Sequence, residues 1–188
     1  MASVHQRLLE IVMDTKVLQH LPEPIQLASG EMSQDFVDAK VAVDDPDDLD
    51  FVGEAMTAAA RAGGVEFDAV GGLVLGAVPF TFAVAQAARC QWFLIRKEPK
   101  GRGTNRWTEG ARIGAGNRVA LVDDVITTGG SIKLAHERVI AAGAEVVFAS
   151  TLVDRGDRAA EFFRGVNVPY VPMLTYHDLG IEPVGVAP

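Results

Sequence analysis

Apolar positions return every three or four residues at Val4, Leu8, Ile11, Val12 and Leu18, which predicts an amphipathic helix over 4–20. Pro22 and Pro24 stop it. Residues 25–33 are too short and too rich in small side chains for another helix, and 36–43 read as a strand. The acidic turn at 44–48 can cap the next helix near its positive end. That helix runs to about Gly63, with Phe51, Val52, Ala55, Met56 and Ala59 as its apolar positions. Strands and helices then alternate: strand 68–72, helix 78–88, strand 91–95, strand 119–122, helix 131–142, strand 144–153, helix 157–163, strand 168–171. Residues 99–116 carry no period and read as a long loop or a flexible hairpin. Helical crossovers between strands predict an α/β fold with a mostly parallel central sheet flanked by helices. In such sheets ligands sit beyond the carboxyl ends of the strands. The first 33 residues fall outside the alternation and suit a lid or hood.

Composition narrows the class. The chain has 188 residues, 48% of them apolar and 22% charged, which fits one globular domain. A single cysteine, Cys90, makes no internal disulfide, and before a strand it reads as packing rather than as a nucleophile. No apolar run is long enough to span a membrane, and the start lacks the pattern of a secretory signal. The expectation is a soluble, cytoplasmic protein without a membrane partner.

The net charge of -8 argues against a surface built for nucleic acid. The charge is uneven, however. Seven of the 17 basic residues lie between Arg96 and Arg118, whereas eight acidic residues crowd Asp35 to Glu54. The basic segment is either a solvated loop or the place where a polyanionic ligand is met.

The sharpest chemical signal is Val119-Ala-Leu-Val-Asp123-Asp124-Val125-Ile126-Thr127-Thr128-Gly129-Gly130-Ser131. An apolar strand ends in two aspartates, and a glycine-threonine turn opens a helix. Backbone N–H groups at a helix start bind phosphate, glycine permits close approach, and the three hydroxyls add donors. The run has neither the GxGxxG of dinucleotide folds nor the Gly-Lys-Ser/Thr of a P-loop. Adjacent carboxylates repel one another, and ribose hydroxyls are natural partners for them, directly or through a magnesium ion. Together the two halves point to a ribose 5-phosphate.

This run resembles the phosphoribosyl diphosphate motif of the type I phosphoribosyltransferases, and within that family it is most like the orotate enzymes. Supporting segments are Leu27-Ala-Ser-Gly-Glu-Met-Ser33 with Phe36-Val-Asp-Ala-Lys40, and Val70-Gly-Gly-Leu-Val-Leu-Gly-Ala-Val-Pro79. Arg96-Lys-Glu-Pro-Lys-Gly-Arg-Gly103, Leu152-Val-Asp-Arg155 and Leu174-Thr-Tyr-His-Asp-Leu-Gly180 complete the set, in the family's order. The resemblance implies one domain over 1–188, with residues 1–35 as a small N-terminal hood and 97–117 as a mobile catalytic loop. It implies phosphoribosyl diphosphate and orotate as substrates, orotidine 5'-phosphate and pyrophosphate as products, and a homodimer with shared active sites. Mg2+ would arrive mainly on the diphosphate, with no direct protein metal site; the four histidines make no ligand cluster.

By the same resemblance, Asp123 and Asp124 hold the ribose, residues 127–131 the 5-phosphate, and Val125 and Ile126 also contact the phosphoribosyl diphosphate. Leu75 and Gly76 offer backbone to the pyrophosphate, with a strained peptide expected at Leu75–Gly76. Arg96 and Lys97 are diphosphate ligands. Lys100 is the lysine of the catalytic loop, and with Arg102 it stabilises the leaving group. Arg155, Thr127 and Phe36 meet the base; read from the residues alone, Arg155 could equally pair with Asp154 or Asp157, and Phe36 could be core. The chain departs from the usual pattern at three places. Ala28 stands where many orotate enzymes carry lysine, Leu75 where some do, and Arg102 where histidine is usual. Arginine clamps pyrophosphate through several donors but does not exchange protons near neutral pH.

Overall fold

The computed structural model describes residues 3–98 and 107–185. Lys100 and Arg102 lie outside the described residues. In chain order the elements are α1 (Val4–Val12), β1 (Leu18–Gln26), β2 (Met32–Val37), α2 (Pro46–Ala62), β3 (Ala69–Leu73) and α3 (Val78–Ala88). Then follow β4 (Gln91–Ile95), β5 (Thr108–Gly110), β6 (Arg118–Ile126), α4 (Gly130–Ala141), β7 (Glu145–Asp154), α5 (Arg158–Gly165), β8 (Tyr170–Thr175) and α6 (Tyr176–Leu179).

Six strands form one sheet in the order β5-β4-β3-β6-β7-β8. All neighbours are parallel except β5, which runs antiparallel to β4. The expected α/β sheet flanked by helices is therefore the observed one. β3 is buried at every residue, and β7 at all but Glu145 and Val147. That is the near-continuous burial of strands covered on both faces. One face packs Val52, Met56, Phe80, Val84, Leu152 and Leu174 beneath α1, α2 and α3. The other packs Phe93, Leu121, Ile132, Val139 and Phe163 with α4 and α5. The acidic turn caps α2 as anticipated: the Asp45 carboxylate accepts the Asp47 N–H at 2.9 Å, and Pro46 occupies the first turn.

The N-terminal third departs from the sequence reading. The helix expected over 4–20 stops at Val12, and Leu18 belongs to β1, paired with Val37 of β2. Pro22 and Pro24 sit inside β1, where the pairing register breaks between His20 and Ile25, so their missing N–H groups cost no ladder bonds. The strand expected over 36–43 is shifted to β2, because pairing with β1 decides its extent; Val41–Val43 coil into a 3-10 turn. Elsewhere partner strands lengthen the prediction. β6 continues through both aspartates to Ile126 because β7 pairs with it as far as Asp154. β8 is displaced to Tyr170–Thr175, where it follows β7. The region read as loop or hairpin supplies the short β5, and α6 was not anticipated, although Thr175 and Asp178 form its capping box.

Candidate functional site

The parallel order brings the carboxyl ends of β3 and β6 side by side, and a cleft of about 490 Å3 opens there. Its floor and walls are Leu73 to Gly76, Lys97 and the whole run Asp123–Ile132, with Ala28 and Ser29 of the β1–β2 turn above. Segments separated by nearly a hundred residues thus meet around one space.

The two aspartates differ. Asp123 is only 5% exposed, and burial together with the neighbouring Asp124 charge holds its carboxyl well above the usual range, partly offset by Lys97. Asp124 is half-buried; its carboxylate accepts the Val125 N–H at 2.8 Å, and its carbonyl accepts the Thr151 hydroxyl at 2.9 Å. Gly76 lies directly on the Asp124 carboxylate, so any side chain there would overlap it. The absence of a Cβ therefore lets the β3–α3 loop and the aspartates share one wall.

Downstream, Gly129 takes φ +75° and turns the chain into α4. No side chain caps this helix, so its leading N–H groups face the cleft as donors for an anion. Thr127, Thr128 and Ser131 line the same space. Across from them the β3–α3 loop has a cis peptide at Val74–Leu75, one bond before the expected position at Leu75–Gly76. The Leu75 side chain is 73% exposed, so this loop offers the cleft backbone rather than charge.

The basic residues separate. Lys97 lines the cleft, whereas the Arg96 guanidinium reaches Glu109 at 3.4 Å across the β4–β5 stem. The Arg96 N–H also donates to the Trp107 carbonyl at 2.8 Å, and the Trp107 ring stacks on the Arg138 guanidinium of α4 at 3.4 Å. Among the described residues no cluster of three or more His, Cys, Asp or Glu suits a metal. Asp123 and Asp124 are hard oxygen donors of the kind Mg2+ takes one or two at a time beside substrate phosphates.

The base-side residues lie further back. Arg155 is 1% exposed and does not line the cleft. Its guanidinium donates to the Asp35 carbonyl at 2.8 Å and to the Ser33 hydroxyl at 3.0 Å, which pins β2 to the end of β7. It pairs with neither Asp154 nor Asp157. Its Nε is buried without a partner. Phe36 is half-buried and outside the cleft lining, on the opposite face of β2 from Ser33 and Asp35. Only Thr127 of the three residues expected at the base borders the cleft. Ser29 was not among the expected site residues, yet it lines the cleft and its buried hydroxyl has no partner. The Ser29-Gly30 turn was its only sequence signal.

Comparison with known proteins agrees with this geometry. The phosphoribosyl transferase domain family matches residues 49–162. The orotate phosphoribosyltransferase of Methanothermobacter thermautotrophicus is 36% identical over 175 residues, covering 93% of each chain. That of Streptomyces coelicolor is 36% identical over 188 residues, 97% of this chain and 100% of the other. The crystal structure of Mycobacterium tuberculosis H37Rv orotate phosphoribosyltransferase with Fe(III) dicitrate superposes with a TM-score of 0.79 at 31% identity, over 95% of this chain and 100% of that one. The same enzyme in complex with 5-phospho-alpha-D-ribosyl 1-diphosphate gives a TM-score of 0.74 at 29% identity, over 95% and 100%. With the aspartate pair, the uncapped helix start and the glycine loop gathered at one sheet edge, this chain belongs to the type I phosphoribosyltransferase family and is similar over nearly its whole length to orotate phosphoribosyltransferases.

Proposed function

We propose that the protein transfers the 5-phosphoribosyl group from phosphoribosyl diphosphate to orotate, giving orotidine 5'-phosphate and pyrophosphate, the reaction that commits a pyrimidine base to UMP synthesis. The observation that carries this reading is the continuous wall from Asp123 to Ser131 beside the Leu75–Gly76 loop. It provides carboxylates for ribose hydroxyls, N–H groups and hydroxyls for the 5-phosphate, and backbone for a diphosphate, in the order in which the substrate presents them. The named relatives being orotate enzymes supports the choice of base.

In this mechanism the anomeric C–O bond to pyrophosphate loosens first, and the ribose becomes oxocarbenium-like. The orotate nitrogen then attacks from the opposite face, and the bonding pair leaves with pyrophosphate. Orotate nitrogen is acidic, so little general-base help is required. The chain's work is to align two substrates and to neutralise the leaving group. Asp123 and Asp124 orient the ribose, residues 127–131 anchor the phosphate, and Lys97 faces the diphosphate with Arg96 behind it. Lys100 and Arg102 are assigned to the leaving pyrophosphate from the sequence, in a homodimer whose partner lends the lysine. Asp123 and Asp124 would help hold a Mg2+ ion brought by the diphosphate, which would supply charge neutralisation there. Ser29 offers a hydroxyl to the base from the β1–β2 turn. Arg155, buried behind the cleft, acts on the base through the hairpin it secures, by its bonds to Ser33 and Asp35.

The test is pyrophosphate release from phosphoribosyl diphosphate and Mg2+ with orotate, uracil, adenine, guanine, hypoxanthine and xanthine supplied separately. Turnover with orotate alone is the expected result. Turnover with a different base would identify a paralogue in which Ala28, Leu75 and Arg102 mark the change. Tight binding without turnover would identify a nucleotide sensor. For the shared site, a Lys100→Ala subunit mixed with an Asp123/Asp124-disabled subunit should recover activity that neither has alone; proven heterodimers without recovery would refute it.

A further inference from the structure

Behind the cleft lies a buried carboxylate that the mechanism above does not use. Asp154 ends β7 and is 2% exposed. One of its oxygens accepts the Tyr170 hydroxyl at 2.7 Å, and the other accepts the Gly156 N–H at 3.1 Å. The Tyr170 ring is itself held, stacked on Phe163 at 5.2 Å between centroids. Among the described residues no cation pairs with Asp154. Burial pushes its carboxyl up to about 6, and nearby Asp157 adds to the rise.

A carboxylate buried without a cation costs stability, and an apolar side chain of similar size would avoid that cost. What an apolar side chain lacks is two acceptor atoms able to hold two donors in fixed directions. One of the donors, the Gly156 N–H, belongs to a turn that touches the site, and the other, the Tyr170 hydroxyl, ties the carboxylate to β8. Within that turn the Arg155 N–H donates to the Ile126 carbonyl at 2.8 Å, and the Arg155 carbonyl accepts the Val184 N–H at 2.7 Å. Gly156 is packed so closely that a Cβ would overlap the Val184 carbonyl and come within 3.2 Å of the Thr127 carbonyl. One residue further, a side chain on Gly185 would press on the Thr128 methyl at 3.0 Å.

We propose that Asp154 is a positioning residue for both substrates. From beneath the site it clamps the turn at residues 154–156, and through that turn it places Arg155 on the base side and Thr127 and Thr128 on the phosphate side. Val184 and Gly185 close the clamp from the chain's end. The inference rests on the substrates assigned under the proposed function and names a residue that touches neither of them.

Three variants of the full chain test it: Asp154→Ala, Asp154→Asn and Tyr170→Phe. Binding of phosphoribosyl diphosphate with Mg2+ is read by calorimetry, and KM and kcat by turnover with orotate. Asp154→Ala is expected to weaken diphosphate binding and raise the orotate KM about tenfold each, with kcat at saturation within about threefold of wild type. Asp154→Asn keeps both bonds, its amide oxygen taking the Gly156 N–H and its amide N–H donating to the Tyr170 hydroxyl. It should return both affinities to within about threefold. Tyr170→Phe should fall between the two. A lower melting temperature in Asp154→Ala with both affinities unchanged would overturn the clamp and leave a merely structural residue. Should Asp154→Ala not fold, unchanged affinities in Tyr170→Phe would overturn it equally. If wild type binds phosphoribosyl diphosphate but does not use orotate, the base assignment falls while weaker diphosphate binding in Asp154→Ala still upholds the clamp. Wild-type protein that binds no phosphoribosyl diphosphate would overturn both.

Discussion

The two sides of the cleft, one proposed to meet the phosphate and the other the base, are built in opposite ways. The phosphate side is one unbroken segment, Asp123 to Ser131, that passes from strand to turn to helix. Its geometry follows from local rules: a buried strand ends, glycine turns the chain, and a helix begins with free N–H groups. The base side draws on the β1–β2 hairpin, the end of β7 and the last described residues near Val184. Arg155 ties the first two together by reaching Ser33 and Asp35, more than a hundred residues earlier. The difference teaches where mutations should separate function from stability. A contiguous site can lose its chemistry and keep its fold, whereas an assembled site loses both together.

The largest expected effect breaks the phosphate side. Replacing Asp123 and Asp124 by asparagine should remove about 3–4 kcal/mol of transition-state stabilisation, a loss of roughly 10²–10³ in kcat/KM. The melting temperature should hold or rise, since the buried Asp123 carboxyl is raised by burial and by its neighbour. Steady-state kinetics beside thermal unfolding would check this, and a collapse of the fold would erase the contrast between the two sides.

A smaller effect sharpens the assembled side through pH. The Asp154 carboxyl, ordinarily at 3.8, stands at about 6 in the fold, raised by burial and Asp157 and restrained by Tyr170 and the Gly156 N–H. Between those values the folded protein keeps a proton that the unfolded chain releases. Stability from this group is therefore full below 3.8, falls as pH rises toward 6, and is level above. The fall amounts to about 3 kcal/mol at most. Asp154→Asn has no such titration, so the difference in melting temperature between it and wild type should move in the variant's favour from pH 4 to pH 7. A difference that does not change with pH would show that Asp154 titrates normally.

The third effect is smaller again. Arg155→Ala leaves the Asp35 carbonyl and the Ser33 hydroxyl without their donor, at a cost of about 1.5–3 kcal/mol. Denaturant unfolding should show that loss, together with a raised orotate KM and a nearly unchanged KM for phosphoribosyl diphosphate. An unfolding curve identical to wild type would mean that the hairpin is held by its apolar contacts alone.

Particular elements show how much was legible beforehand. α3 and β4 are readable to the residue, because an apolar helix with proline in its first turn and a short apolar strand have few competing solutions. The aspartate pair, the Thr127–Ser131 turn and Lys97, singled out from local sequence, all line the cleft. The N-terminal helix was overextended, because Leu18 continues the helical spacing while its actual partner, Val37, lies 19 residues away. Strand pairing overrode the period, and a broken register let two prolines sit within β1. Ser29 drew no notice as a ligand, since an exposed-looking Ser-Gly turn acquires meaning only when it hangs over a cleft.

The sequence by itself determined the alternation of strand and helix, the family, and the order of groups along the wall from Asp123 to Ser131, because each depends on side chains within a few positions of one another. The tertiary structure alone decided that Arg155 spends its guanidinium on the hairpin, that Arg96 turns to Glu109 while Lys97 faces the cleft, and that Asp154 sits buried between Tyr170 and the turn at Gly156. The physical reason is that a long polar side chain takes the partner nearest its tip. Which partner that is depends on where the fold delivers segments that lie far apart along the chain.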